Sequence, residues 1–341
     1  MSGDRPLLDL VALHALLVEG GVTVAGPLEA GLLSGGKSNL TYVVSDGVSR
    51  WVARRPPASG LTPSAHDVAR EWRVTRALRH SRVPVAPTVV LCEDPSVFGA
   101  PVAVVEYVEG QVVRTRPQLR GHSSDELRAC TDALVGVLAD LHAVDVDEVE
   151  LDGFGRPEGF LERQVGLWWR QWTKVRQNDL PDATQLHRVL RSALPTTPGA
   201  VGIVHGDYRI DNTLLAVDDI TTVLAVVDWE LATIGDVLTD VALMAVYRQP
   251  ELDAILGVEA AWASDRLPSG DDLAHSYALM RGVDLPHWPF YLALANFKLA
   301  VIAQGISYRA RQGAAADASA AGAEEAVPEL LAAGLRALRT D

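Results

Sequence analysis

Residues 204–230 read VHGDYRIDNTLLAVDDITTVLAVVDWE, and their layout decides the fold. A loop of the form His-x-Asp-x-x-x-x-Asn, His205 to Asn212, follows the short apolar run Val201–Val204. A strand-like run over 213–217 and an Asp-Asp turn lead to a second apolar run, Val223–Val227, which ends on Asp228. Short strands hold the loops between them rigid, so the layout predicts Asp207, Asn212 and Asp228 together at one end of a small sheet. Two carboxylates and an amide carbonyl meeting there suit Mg²⁺, a hard cation that takes oxygen ligands and keeps sites for water and phosphate oxygens. Asp207 also offers a carboxylate able to take a proton from an attacking hydroxyl. Together these groups imply phosphoryl-transfer chemistry. The same letters could instead make a capped turn and two Asx-turns. Three fixed residues followed by a strand ending in Asp are more specific than that.

HGDYRIDN (205–212) and VVDWELATIGDVLTDVA (226–242) resemble the aminoglycoside phosphotransferase and choline kinase family, whose fold is similar to that of the protein kinases. Within it they are most similar to the kinase-like domains related to those fused to acyl-CoA dehydrogenases. The resemblance runs from about Leu28 to Arg311. It implies an α+β, bilobal fold: a β-rich nucleotide-binding lobe with an N-terminal helix over 1–105, and a larger, mainly helical catalytic lobe over 106–341. It also implies phosphorylation of a hydroxyl by ATP with Mg²⁺ held by Asn212 and Asp228, and it names no acceptor.

The first third of the chain reads as that smaller lobe. Leu7–Leu17 has helical apolar spacing and stops at Gly20-Gly21. Short β-like runs follow, with Asp46-Gly47 turning between Leu40–Ser45 and Val48–Arg54, a strong hairpin signal. Gly31–Ser38 matches the P-loop pattern letter for letter, which would make the protein a P-loop NTPase dependent on Lys37. A P-loop runs from strand into helix, whose N-terminal amides bind phosphate. Here Asn39-Leu40-Thr41-Tyr42-Val43-Val44 alternates like a strand, so Ser34, Gly35, Gly36, Lys37, Ser38 and Asn39 read as a glycine-rich loop draped over nucleotide phosphates. The resemblance implies a phosphate-binding cation on the next strand, at Arg54, and alternation sends Arg55 to the opposite face. Glu71, on a helix read over His66–Arg79, is its expected partner, although a helix glutamate is as often solvent-facing. Two further strands, Val89–Cys92 and Pro101–Tyr107, complete a five-stranded sheet. Adenine is expected against backbone at Glu106, Tyr107 and Val108.

Composition narrows the classes. The chain has 341 residues and a formal charge of −14, which argues against a nucleic-acid partner. Acidic charge is compatible with a cationic substrate, but solubility explains it as well. No apolar run reads as long enough to span a bilayer, and MSGDRPLLDL lacks a signal-peptide pattern, so a cytoplasmic, membrane-free protein is expected. Cys92 and Cys130 are the only cysteines and fit reduced thiols. Lysine is nearly absent: Lys37, Lys174 and Lys298 stand against many arginines.

In the remaining chain, Ser124–His142, Phe160–Val175, Leu273–Met280 and Phe290–Ala310 read as helices. Trp168, Trp169 and Trp172 on the second favour packing over a substrate platform. A helix is expected from Gly235-Asp236 to about Tyr247, with Asp236 and Asp240 in structural roles. The alanine-rich stretch 314–338 reads as a weakly docked or frayed helix. Three rival readings remain: the P-loop NTPase, a catalytically silent nucleotide-binding protein, and a protein kinase. The last lacks an Ala-Pro-Glu-like end after Asp228, and Trp229-Glu230 stands where Phe-Gly would be.

Overall fold

The computed structural model describes residues 8–33, 39–57, 67–197, 199–312 and 318–339. The smaller lobe grows from the Asp46-Gly47 turn. Gly47 takes φ 89°, and the Asp46 carboxylate accepts from the N–H groups of Val48 at 2.9 Å, Ser49 at 2.6 Å and, across the lobe, Ala25 at 2.7 Å. This turn sets the register of β2 (Leu40–Ser45) on β3 (Arg50–Arg55), Leu40 opposite Arg55 and Ser45 opposite Arg50. With β1 (Glu29–Leu32), β4 (Thr88–Cys92) and β5 (Val102–Glu106) they form an antiparallel sheet in the order β1-β2-β3-β5-β4. Helix α1 (Leu10–Glu19), capped by Asp9, buries Leu13 and Leu17 against a core that includes Val44, Trp51 and Val104.

β1 pairs antiparallel with β2, Gly31 opposite Val43. The segment 34–38 lies outside the described residues, but the elements it joins are two strands. The match at Gly31–Ser38 is therefore not a P-loop, because β2 stands where the phosphate-binding helix would have to start.

Helix α2 (Val68–Leu78) is capped by Asp67, which accepts from Arg70 N–H at 2.9 Å. A short α3 (Pro95–Phe98) connects β4 to β5. The larger lobe holds α4 (Ser124–Leu141), α5 (Phe160–Val175), α6 (Pro181–Ser192), α7 (Leu238–Val246), α8 (Glu251–Leu256), α9 (Gly270–Arg281), α10 (Trp288–Arg311) and α11 (Val327–Ala337). Four short strands carry its working loops: β6 (Val201–Val204), β7 (Thr213–Leu215), β8 (Val223–Val226) and β9 (Thr233–Asp236).

Four expectations are corrected. The small sheet is two separate ribbons, β6 with β9 and β7 with β8, because the segment after Asp228 folds back to pair with β6. The helix expected from Gly235 begins at Leu238: Gly235 and Asp236 close β9, and the Asp236 carboxylate accepts from the N–H groups of Leu238 at 3.1 Å and Gly199 at 2.8 Å. Among the described residues one apolar helix is long enough to cross a membrane by length and composition: α10, mean hydropathy 1.3 over its best window. That window is 78% buried inside the protein, so its apolar character serves the core. The last part of the alanine-rich stretch is firmly docked, with Val327, Leu330, Leu331 and Leu335 of α11 buried among α6 and α10, while 314–317 lie outside the described residues.

Candidate active site

The loop between β6 and β7 is held from beneath by a buried carboxylate. Asp240, on the first turn of α7, accepts from His205 N–H at 2.6 Å and Gly206 N–H at 2.8 Å. Burial alone would raise its pKa, but His142, His205 and the Gly206 amide outweigh burial and hold it below the ordinary range. The His205 ring accepts from Asp207 N–H at Nδ1, 3.2 Å away, which leaves Nε2–H to donate to Val227 O at 3.0 Å. His205 thus ties the β6–β7 loop to the end of β8. Gly206 takes φ 86°, and a Cβ there would lie 2.8 Å from Leu231 Cβ, so only glycine fits the close crossing. Tyr208 and Ile210 point into the core, the Tyr208 hydroxyl donating to Leu134 O at 2.7 Å.

Those anchors leave Asp207 facing outward among donors. Asn212 Nδ2 donates to its Oδ2 at 2.9 Å, Arg209 Nε lies 3.4 Å from Oδ1, and the Tyr247 hydroxyl donates to Oδ1. Burial pushes the Asp207 pKa up, but Arg209, Tyr247, Lys298 and His205 pull harder, and it lies below the ordinary carboxylate value. Asp207 is therefore ionised at neutral pH.

Asn212 and Asp228 are brought together by backbone. Val227 N–H donates to Asn212 O at 2.9 Å, which sets Asp228 beside the asparagine. Asp228 takes the left-handed conformation, φ 66° and ψ 56°, a costly choice for a non-glycine residue that turns its side chain back toward the junction of the lobes. Its Oδ1 is buried without a hydrogen-bond partner. A divalent cation fits that orphaned oxygen, with the Asn212 amide oxygen as second donor, since Asn212 Nδ2 is committed to Asp207. Among the described residues no cluster of three or more His, Cys, Asp or Glu forms an all-protein cage. A cation here would draw its other ligands from water and phosphate.

From the smaller lobe, Arg54 reaches across. Its Nη1 pairs with Glu71 Oε2 at 2.7 Å, and its Nη2 lies 3.6 Å from Asp228 Oδ1. Glu71 is buried, not solvent-facing; Asn39 Nδ2 donates to its Oε1 at 3.0 Å. Burial pushes the Glu71 carboxyl up to about 7 against the opposing pull of Arg54. Arg55 is buried on the other face of β3. Of the predicted adenine contacts, Glu106 N–H donates to Pro87 O at 2.8 Å and Tyr107 N–H to Arg50 O at 3.1 Å. Among the described residues only Val108 of the three keeps its backbone donor uncommitted. Ser34, Gly35, Gly36, Lys37 and Ser38 lie outside the described residues.

Residues 29–273 match the phosphotransferase enzyme family, APH. The chain belongs to that family. Acyl-CoA dehydrogenase family member 11 of Homo sapiens is 35% identical over 277 residues, covering 80% of this chain and 35% of that protein. The phosphotransferase chain thus spans about a third of the length of that curated relative. A crystal structure from Ralstonia eutropha JMP134, of a protein provisionally assigned as an aminoglycoside phosphotransferase, is 30% identical. It superposes with a TM-score of 0.85 over 98% of this chain and 99% of its own. A thermostable mutant of aminoglycoside phosphotransferase APH(4)-Ia, in ternary complex with AMP-PNP and hygromycin B, is 17% identical with a TM-score of 0.61. It covers 95% of this chain and 98% of its own, a likeness of fold.

Four side chains of the phosphotransferase site escape a reading of residue types. Arg209 sits inside the loop motif, yet nothing in its spacing marks it as an Asp207 partner. Tyr247 closes α7 forty residues later with no local signal. Arg70, beside Glu71, turns away to stack 3.7 Å over the Phe154 ring and donate to Ala232 O at 3.0 Å. Lys298 crosses from α10 to donate to Gly206 O at 2.6 Å; the scarcity of lysine was its one hint. Of the three tryptophans on α5, Trp172 is core, Trp169 stacks on His187, and Trp168 lines a cavity beside Gly206.

Proposed function

We propose that this phosphotransferase moves the γ-phosphoryl group of ATP to a hydroxyl of a small molecule in a Mg²⁺-dependent reaction. One observation carries the reading: Asp207, Asn212 and Asp228 of the larger lobe converge where Arg54, braced by Glu71, arrives from the smaller one. Ionised Asp207 orients the acceptor hydroxyl and takes its proton as the new bond forms. Arg54 neutralises phosphate charge in a geometry that Glu71 fixes. Asn212 and Asp228 would hold Mg²⁺, which when bound screens charge on the phosphate oxygens. Val108 N–H receives the adenine. Positioning and charge neutralisation carry most of such a rate enhancement.

The acceptor falls among aminoglycoside-like alcohols, hydroxyacyl-CoA thioesters and other metabolite alcohols. Similarity to acyl-CoA dehydrogenase family members supports the second, and the hygromycin B complex of a structural neighbour supports the first. Purified protein incubated with ATP, Mg²⁺ and an acceptor panel, read by product mass, tests the reading. One acceptor should gain a single phosphoryl group only when nucleotide and metal are both present. Tight nucleotide binding with no transfer to any acceptor would favour a silent nucleotide-binding protein.

A further inference from the structure

A cavity of about 170 Å³ opens beside the catalytic loop, between α5, α10 and the β6–β9 ribbon. Most of its wall is apolar, with Phe160, Leu167, Trp168, Leu231 and Leu294 contributing. Lys298 is the one lysine or arginine in that wall. Its ammonium sits 5.5 Å from the centre of the Trp168 ring and donates to the carbonyl of Gly206, the residue before Asp207. An ammonium has three N–H donors. One is used by Gly206, and among the described residues no second hydrogen-bond acceptor reaches it. Leaving donors of a buried charge unmet is costly, so the position favours a ligand that brings an oxygen.

Resting on the phosphotransfer reading, we propose that Lys298 is a specificity-determining residue. It binds a carboxyl-level oxygen, of an acid or a thioester, on an acceptor whose hydroxyl meets Asp207 and whose alkyl tail lies in the apolar part of the cavity. The aromatic face of Trp168 holds the ammonium in place. Lys298 itself disfavours polycationic acceptors: it is the wall's one cation, and the one carboxylate in that wall, Asp240, is already engaged by the His205 and Gly206 amides and by His142.

The test compares matched probes in equilibrium binding to the full chain with AMP-PNP and Mg²⁺, followed by calorimetry. The probes are hydroxyhexanoates, their N-acetylcysteamine thioesters, the corresponding hexanediols, and kanamycin. The wild type should bind at least one carbonyl probe roughly tenfold to a hundredfold tighter than its diol, the range for a hydrogen bond to a charged group. Acid and thioester arms tell which form of the oxygen is read. Lys298→Met should bring acid, thioester and diol to within about threefold of one another, and Lys298→Arg should keep part of the preference. A wild type without preference over the diol, or one preferring kanamycin, overturns the proposal whether or not any variant folds. A uniform loss across all probes in Lys298→Met also overturns it, because that is what a simple pin on Gly206 would give. Binding needs no turnover. Carbonyl preference without any phosphorylated product would therefore count against phosphotransfer, and product without the preference against Lys298.

Discussion

Glu71 is the residue whose environment departs furthest from what its letter suggests. A glutamate on a helix is ordinarily solvated, yet this one is buried between Arg54 and Asn39 with its carboxyl pushed up to about 7. Since its folded pKa is raised, the neutral form is the one folding favours. That contribution is complete below the unfolded value and fades as pH rises through about 7. The stability of the wild type minus that of Glu71→Gln should therefore decrease between about pH 5 and about pH 8, measured by urea unfolding. A difference that stays flat or increases would place the ionised form as the favoured one. Arg54 depends on this partner. Arg54→Ala should weaken ATP binding by roughly 1.5–3 kcal/mol, the worth of a charge-assisted contact, and Lys37→Ala by much less, because a strand follows it where a P-loop would need a helix. A larger loss at Lys37 in the two Kd values would contradict the role given to Arg54. Position decided what could be read beforehand: strand alternation separated Arg54 from Arg55, whereas Tyr247 and Lys298 reach the loop only through tertiary packing.

The β6–β7 loop shows how an element is made rigid without length. Its anchors are the Asp240 carboxylate under two amides, the His205 ring spanning to Val227, and Gly206 crossing Leu231. Asp240→Ala would leave both amides buried without acceptors, at roughly 1–3 kcal/mol each. Its unfolding midpoint should fall and kcat should fall with it. An Asp240→Ala protein of wild-type stability would mean that the loop holds itself. Much of this region was legible because short apolar runs bound the motif on both sides. What was not legible was β9: Thr233–Asp236 is too short to show alternation, and its pairing with β6 is made thirty residues away in sequence. The docking of α11 was hidden for a similar reason. An alanine-rich stretch has little periodic contrast, and only Val327, Leu330, Leu331 and Leu335 reveal the buried face once α10 is beside them.

Taken whole, the molecule works through the junction of its lobes, and α2 braces both sides of it. Glu71 points to Arg54 within the smaller lobe, and Arg70 fastens the same helix turn to Phe154 and to Ala232, just beyond Asp228. Arg70→Met should raise KM for ATP several-fold while changing acceptor KM little, because it loosens the spacing between Arg54 and Asp228. Equal shifts in both KM values would assign Arg70 to general stability instead. The division of labour across the junction is tested most directly by two substitutions assayed side by side. A general base contributes about 10²- to 10⁴-fold to rate and acts on the acceptor, not on the nucleotide. Asp207→Asn, nearly isosteric and uncharged, should cut kcat by that order while leaving ATP affinity within a few-fold of wild type. Asp228→Ala should damage both, because Asp228 would hold the metal that neutralises phosphate charge. Full kcat in Asp207→Asn with a confirmed acceptor, or loss of ATP binding there as severe as in Asp228→Ala, would contradict phosphoryl transfer through Asp207.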